Sequence, residues 1–359
     1  MARTYTLCRL FGVEIRMHVS FLVLPLCFGW IYGARGLFVV GFVFTCVTFH
    51  ELSHAVQARR CGLVVREITL YPIGGVANVQ AFGHDPAQEW RTAIAGPLFN
   101  FISAALLYLP MRQWLGVSTL WHRDVIWQMS LDTWPKTFAS CFWINPLLGV
   151  FNLLPAFPMD GGRILRSVLA QRLDYARATR IAVTLGRFLA ILLGLLGLLS
   201  SPPHLLLIAI AVFIYMAASQ EATVVAVRSA LEPFRVSDIA SRQYLALSAE
   251  ATTAQVLDVL LRTPENEVPV MEGESLLGFL PRAEVIRAVR ERRMDVPVRA
   301  LVQRDVPALA PDDSLLAAYQ AMEHSGYRTL PVMRAGQLLG VISFSDVSRV
   351  YAMMESPRR

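Results

Sequence analysis

Lysine is all but missing from this chain. Of 33 basic residues in 359, only Lys136 is not an arginine. Charge of either sign is scarce too: 17% of residues are charged against 55% hydrophobic, with a mean hydropathy of +0.46. So little charge excludes an ordinary soluble enzyme and points to a polytopic membrane protein with a soluble part attached. The net charge of +6 does not gather on one soluble face, so nucleic-acid binding is not expected. The arginines before Ala218 flank apolar runs on alternate sides, which is the positive-inside pattern. The five cysteines (Cys8, Cys27, Cys46, Cys61, Cys141) show no C-x-x-C spacing and fall in the apolar part. They read as packing thiols, neither disulfides nor metal ligands. No small-residue cleavage site follows the first apolar run, so no cleavable signal peptide is expected.

What is present is a set of apolar segments. Residues 18–32, 36–58, 89–109, 136–157, 181–199 and 205–218 are six candidate spans. Arg3, Arg9 and Arg16 precede the first and Arg59-Arg60 follow the second, so the spacing predicts both termini inside the cell. Residues 110–135, rich in Trp and poor in charge, read as an extracytoplasmic loop with interfacial aromatics. Between spans two and three, 64–72 and 76–80 read as strands around an Ile73-Gly74-Gly75 turn. An open sheet edge cannot face lipid, so this hairpin belongs in an aqueous cavity or against protein. Gly74 and Gly75 then mark an edge for an extended substrate, or a simple surface hairpin.

The second span carries His50-Glu51-Leu52-Ser53-His54 directly after an apolar run, 38–47. On a helix the two imidazoles lie one turn apart on one face and can hold one Zn²⁺, with Glu51 placed to take a proton from the attacking water. Ionisable side chains at membrane depth are costly, and so are candidates for function. Two histidines leave a catalytic zinc one protein ligand short. Asp160, the acidic residue at the inner end of the fourth span, is the candidate third ligand; a turn or helix N-cap is its structural alternative. Asn152 could donate to a developing oxyanion or join two helices. Asn100, beside Pro97 in the third span, reads as a substrate contact or an interhelical hydrogen bond.

Charge returns from about Glu221, with short strands alternating with amphipathic helices. Val268-Pro269-Val270 recurs 62 residues later as Leu330-Pro331-Val332, and Leu277-Gly278-Phe279-Leu280 as Leu339-Gly340-Val341-Ile342. Val236-Ser237-Asp238-Ile239 aligns with Val298-Arg299-Ala300-Leu301 at the same offset, so the tail is a duplication.

The pentad, the Asn152-x-x-Pro155-x-x-x-x-Asp160-Gly161 run and Gly96-Pro97-x-x-Asn100 together resemble the site-2 protease family of intramembrane zinc metalloproteases. The likeness covers about residues 1–220. It implies His50, His54 and Asp160 as ligands of one Zn²⁺ per chain, Glu51 as general base and acid, and Asn152 near the scissile carbonyl. It also implies a membrane-anchored substrate, which in bacterial relatives is an anti-sigma factor, a pro-sigma factor or a remnant signal peptide. The family often has Leu-Asp-Gly where this chain has Met159-Asp160-Gly161, and no PDZ-like insertion separates the motifs.

The tail is similar to a tandem pair of CBS domains, expected at 236–292 and 297–355 after a linker at 221–235. In that family a Gly-hydrophobic-hydrophobic-Ser/Thr-x-x-Asp segment contacts adenosine ribose. Here it reads Gly340 to Asp346, which implies Ser343 and Asp346 as contacts for ATP or another adenine nucleotide. The first repeat has Pro281 and Glu284 instead, which leaves one nucleotide site in doubt; a purely structural or dimerising pair is the alternative. The expected fold is thus a polytopic α-helical membrane protein with a membrane-associated β-hairpin, followed by an α/β CBS pair. A CBS-regulated transporter or channel, with His50, Glu51 and Asp160 as an ion path, is the rival function.

Overall fold

The sheet comes first, from residues that precede the first expected span. In the computed structural model, which describes residues 4–72, 74–79, 85–262 and 266–355, β1 (Thr4–Leu10) and β2 (Val13–His18) form a hairpin. Its turn uses left-handed backbone at Phe11 and Gly12 (φ 49° and 77°). β2 runs parallel to β3 (Val65–Tyr71), which pairs antiparallel with β4 (Gly74–Val79), in the order β1-β2-β3-β4. Alternation explains β2: Val13 and Ile15 are buried while Glu14 and Arg16 turn outward and pair with each other. The expected turn glycines, Gly74 and Gly75, lie inside β4 opposite Tyr71 and Leu70. Ile73, and the Gln80 end of the expected second strand, lie outside the described residues.

Val13, Ile15, Val65, Ile68 and Leu70 pack against Leu52, Ala55 and Ala58 of α1 (Val23–Arg60). The sheet therefore covers the stretch of helix that carries the pentad. α1 is two arms, 23–32 and 34–60, divided at Gly33 (φ 59°, ψ −141°). The chain reverses there: the Phe21 ring meets Phe44 edge-on at 4.1 Å, and a Cβ on Gly36 would strike the Phe28 carbonyl. The first arm rises only ~15 Å, half of a ~30 Å bilayer core, so the first expected span does not cross by itself.

There follow α2 (Pro86–Leu115), the short α3 (Val117–Leu120) and α4 (Arg123–Gln128), α5 (Trp134–Asn152), α6 (Asp160–Leu169), α7 (Tyr175–Leu199) and α8 (Leu205–Leu231). Among the described residues, four stretches are long and apolar enough to cross a membrane: Val19–Arg60, α2, α7 and α8. That is fewer than the six expected. The first two are merged by the reversal at Gly33, and α5 is diluted by Lys136, Asn145 and Asn152. α8 continues to Leu231 through most of the expected linker, because Val227 and Leu231 pack with Val236, Leu315, Leu330 and Ile342. Two thiols, Cys46 and Cys141, are buried as expected, but Cys8 and Cys27 are exposed.

The chain divides into two compact units, Met1–Ala222 and Thr223–Arg359. The second holds α9 (Val236–Ile239), β5 (Leu247–Ser248), α10 (Thr253–Arg262), β6 (Glu267–Glu272), β7 (Ser275–Pro281) and α11 (Arg282–Arg290), then α12 (Leu315–Ser325), β8 (Thr329–Arg334), β9 (Gln337–Ser343) and α13 (Phe344–Glu355). The duplication extends to register. Val270 faces Gly278 and Met271 faces Leu276 across a bulge, and Val332–Gly340 and Met333–Leu338 repeat that arrangement. The parallel pair Leu247–Val270 returns as an isolated bridge, Leu309–Val332. Glu267 of the first repeat accepts from the backbone N–H groups of Arg328 and Thr329 in the second, at 2.8 and 2.7 Å. Leu330 is fully buried in the second core, so Leu330→Ala should cost about 2–5 kcal/mol of this unit's stability. Chemical denaturation followed by Trp-independent far-UV circular dichroism will show the loss; a shift under ~1 kcal/mol contradicts this packing.

Candidate active site

His50 and His54 sit one turn apart on the second arm of α1 with their Nε2 atoms 3.1 Å apart. Asp160 Oδ2 lies 3.1 Å from His54 Nε2 and 3.3 Å from His50 Nε2. Asp160 is the first residue of α6, not its cap: Met159 holds the N-cap position, and the carboxylate turns to the imidazoles. His50 and Asp160 are buried, at 4% and 9% exposure. These three residues, distant in sequence, are thereby brought to one point.

Their hydrogen bonds fix which nitrogens face inward. The Thr92 carbonyl can only accept, so His54 Nδ1 carries the proton and donates to it at 2.7 Å. Asn100 donates through Nδ2 to Asn145 Oδ1 at 3.0 Å, which turns its Oδ1 to His50 Nδ1 at 2.5 Å. Both Nε2 lone pairs are left facing the Asp160 carboxylate. The donor set fits zinc in kind and in spacing. A tetrahedral Zn²⁺ with ~2.0 Å bonds needs ligand atoms ~3.3 Å apart, and the three separations match. Asn100 is wholly buried with its amide committed to His50 and Asn145, which is the interhelical hydrogen bond the sequence offered as the alternative to a substrate contact.

Close approach of α2 depends on Gly96. A Cβ there would stand 2.7 Å from His50 Nε2 and overlap His54 Nε2 as well. Glu51, half-buried, lies against β4: a Cβ on Gly75 would come within 2.6 Å of its Cγ. Gly75 is thus beside the candidate base, and Gly74 precedes it in the same edge strand. Asn152 ends α5, half-buried, in the turn that leads to Asp160. Ser343 and Asp346 lie in the second unit, where the Ser343 hydroxyl donates to the Asp346 carboxylate at 2.6 Å and Asp346 N–H donates back at 3.3 Å. They start α13 as a reciprocal cap. Thr92 and Asn145 were not foreseen. Asn145 before Pro146 in an apolar helix was a readable signal, whereas a backbone carbonyl such as that of Thr92 leaves none.

The family model for peptidase family M50 matches residues 37–117 and 116–193, and the CBS domain model matches 236–291 and 298–352. A zinc metalloprotease of Methanocaldococcus jannaschii is 29% identical over 353 residues, covering 97% of this chain and 96% of the relative. Rip3 of Mycobacterium tuberculosis, also named as a zinc metalloprotease, is 30% identical over 339 residues, covering 89% and 81%. The chain belongs to peptidase family M50. A solved site-2 protease from M. jannaschii aligns with 61% of this chain and 95% of its own at 32% identity, with a TM-score of 0.46. M50 membership, with tandem CBS domains, makes this chain a membrane zinc metalloprotease and sets aside the transporter reading. Gly96→Ala should reduce bound zinc from about one per chain to near none, and Asn100→Ala should weaken zinc affinity about 10–100-fold. Elemental analysis and chelator competition on purified protein test both; full zinc occupancy in the Gly96 variant would rule out the packing described.

Proposed function

We propose that this M50 protein hydrolyses a peptide bond in or beside the transmembrane segment of a membrane-anchored protein. The observation that carries the reading is the convergence of His50, His54 and Asp160 beside Glu51, under the edge strand β4. When bound, Zn²⁺ supplies a Lewis acid for the carbonyl and makes water a usable nucleophile near neutral pH. Glu51 takes the proton of the attacking water and passes it to the leaving amine. His50 and His54, each held through Nδ1, keep their Nε2 atoms aimed at the metal, and Asp160 completes the set. Asn152, in the turn before Asp160, donates to the developing oxyanion.

A helical substrate hides its amides in its own hydrogen bonds and must unwind to be cut. Among the described residues β4 has partners on one side only, so that edge would offer backbone groups to an extended chain, and Gly75 would bring that chain to Glu51. The alternation of arginines supports cytoplasmic termini and a cytoplasmic CBS pair. Adenine nucleotide at Ser343 and Asp346 would modulate cleavage by loosening their mutual cap, and the CBS repeats are candidates for homodimerisation.

Glu51→Gln keeps the shape but not the base. It should retain about one zinc per chain and lose at least ~10²-fold in hydrolysis. Activity against co-purifying membrane proteins trapped by this variant will measure it, and undiminished cleavage would reject the mechanism. With the wild type, cleavage should vary across millimolar ATP; an unchanged rate would count against nucleotide control.

A further inference from the structure

Outside the metal site, Arg166 of α6 is the buried cation of the first unit among the described residues, paired with the buried Glu89 of α2. It belongs to a basic amphipathic stretch with Arg163, Arg172, Arg177 and Arg180, yet only 5% of its side chain is exposed. Its Nε and Nη2 both donate to Glu89 Oε1, the former at 2.9 Å, and its Nη1 donates to Glu221 Oε1 at 2.6 Å. The rings of Phe157 and Tyr175 cover the guanidinium, with centroids 4.7 and 4.8 Å from Cζ. Each guanidinium nitrogen therefore has a carboxylate partner and two rings lie against the group, from α2, α8, α7 and the turn before α6.

Two features tie this cluster to the metal site. Glu89, Thr92, Gly96 and Asn100 follow one another at helical spacing on the buried side of α2. That stripe holds Arg166 at one end and both histidines along the rest. Asp160 also lies between Phe157 and Arg166 in sequence, and these two touch, so their contact closes a short loop around the ligand. Gly161 and Gly162 leave no room in that loop, since a Cβ on Gly162 would come 2.6 Å from Ala156 and Phe157 backbone.

A buried ion pair is a poor source of stability, because desolvation offsets most of its attraction and apolar substitutes are often as stable or more so. What the planar, fully bonded guanidinium does fix is register. We propose that Arg166 is a positioning residue: through Glu89 and Phe157 it sets α6 against α2 so that Asp160 meets the Nε2 atoms of His50 and His54. This rests on the zinc site proposed above.

The test uses the full chain in detergent, with zinc affinity from chelator competition and the visible spectrum of the cobalt-substituted protein. Arg166→Lys and Glu89→Gln should each weaken zinc binding about 10–100-fold and reduce the tetrahedral cobalt bands. Glu221→Gln should weaken it only a few-fold, because that carboxylate is 30% exposed. The double variant Arg166→Met with Glu89→Met removes the charges together; it should unfold at or above the wild-type temperature and still bind zinc weakly. A merely structural role moves stability and leaves affinity and spectrum alone. Zinc affinity within about twofold of wild type in the Lys or double variant overturns the proposal, while a wild type that takes up no zinc overturns the metal site as well.

Discussion

The site in the first unit answers to one costly feature, the Asp160 carboxylate buried at the start of α6. Taking an ionised Asp out of water costs several kcal/mol unless its partners are fixed in place. Asp160 has two imidazole Nε2 lone pairs within 3.3 Å, which give a carboxylate no hydrogen bond, so a Zn²⁺ held by the three residues would meet that demand; the imidazoles are in turn held by Asn100 and the Thr92 carbonyl. Three helices must meet at one point for this to happen. That is why glycines stand where they do: Gly96 lets α2 reach the histidines, and Gly161 and Gly162 let α6 begin immediately after a tight turn. Larger residues at these places would push the helices apart before any chemistry was lost.

The sheet solves a second problem. Backbone edges are excluded from lipid, yet a protease for helices needs an edge on which to hold an unwound chain. Packing β2 and β3 on Leu52, Ala55 and Ala58 sets the sheet on the same arm of α1 that carries the pentad. β4 is then left as the edge nearest Glu51, with Gly75 beside the carboxylate. The N-terminal hairpin enters this arrangement as support, since β2 completes the parallel pair with β3.

The site was legible because its chemistry is written in residue types. Two His at helical spacing, Glu51 between them and an acid at the end of another apolar segment suffice to name the three residues that the structure brings to one point. The repeat was legible as well, because an offset of 62 residues in sequence became the same strand register in space. What stayed hidden depends on partners distant in sequence. The β1–β2 hairpin is short and its polar alternation resembled a tail, and only packing on α1 makes it a strand pair. Six spans were counted from apolar runs alone, which cannot register that 19–60 doubles back at Gly33 or that α5 falls short in apolarity. The burial of Arg166 could not be read from the sequence, because nothing in α6 itself announces that Glu89 and Glu221 converge on it.

The position of the pentad along α1 also limits where a substrate can be cut. Arg59 and Arg60 end the helix, five and six residues beyond His54, a rise of only ~8 Å. Arginines of that kind sit at the membrane boundary, so the histidines lie near the edge of the apolar zone and not at its centre. α6, which brings Asp160, is the polar member of the set, with an exposed Arg163 one turn from the ligand. On that placement water would reach Glu51 from the arginine side, and β4 lies beside it at Gly75. A substrate helix needs to unwind only where it leaves the bilayer, where its terminal amides already lack intrahelical partners. On the function proposed above, the hydrolysed bond would fall close to the end of the substrate's transmembrane segment that lies on the same side as Arg59 and Arg60.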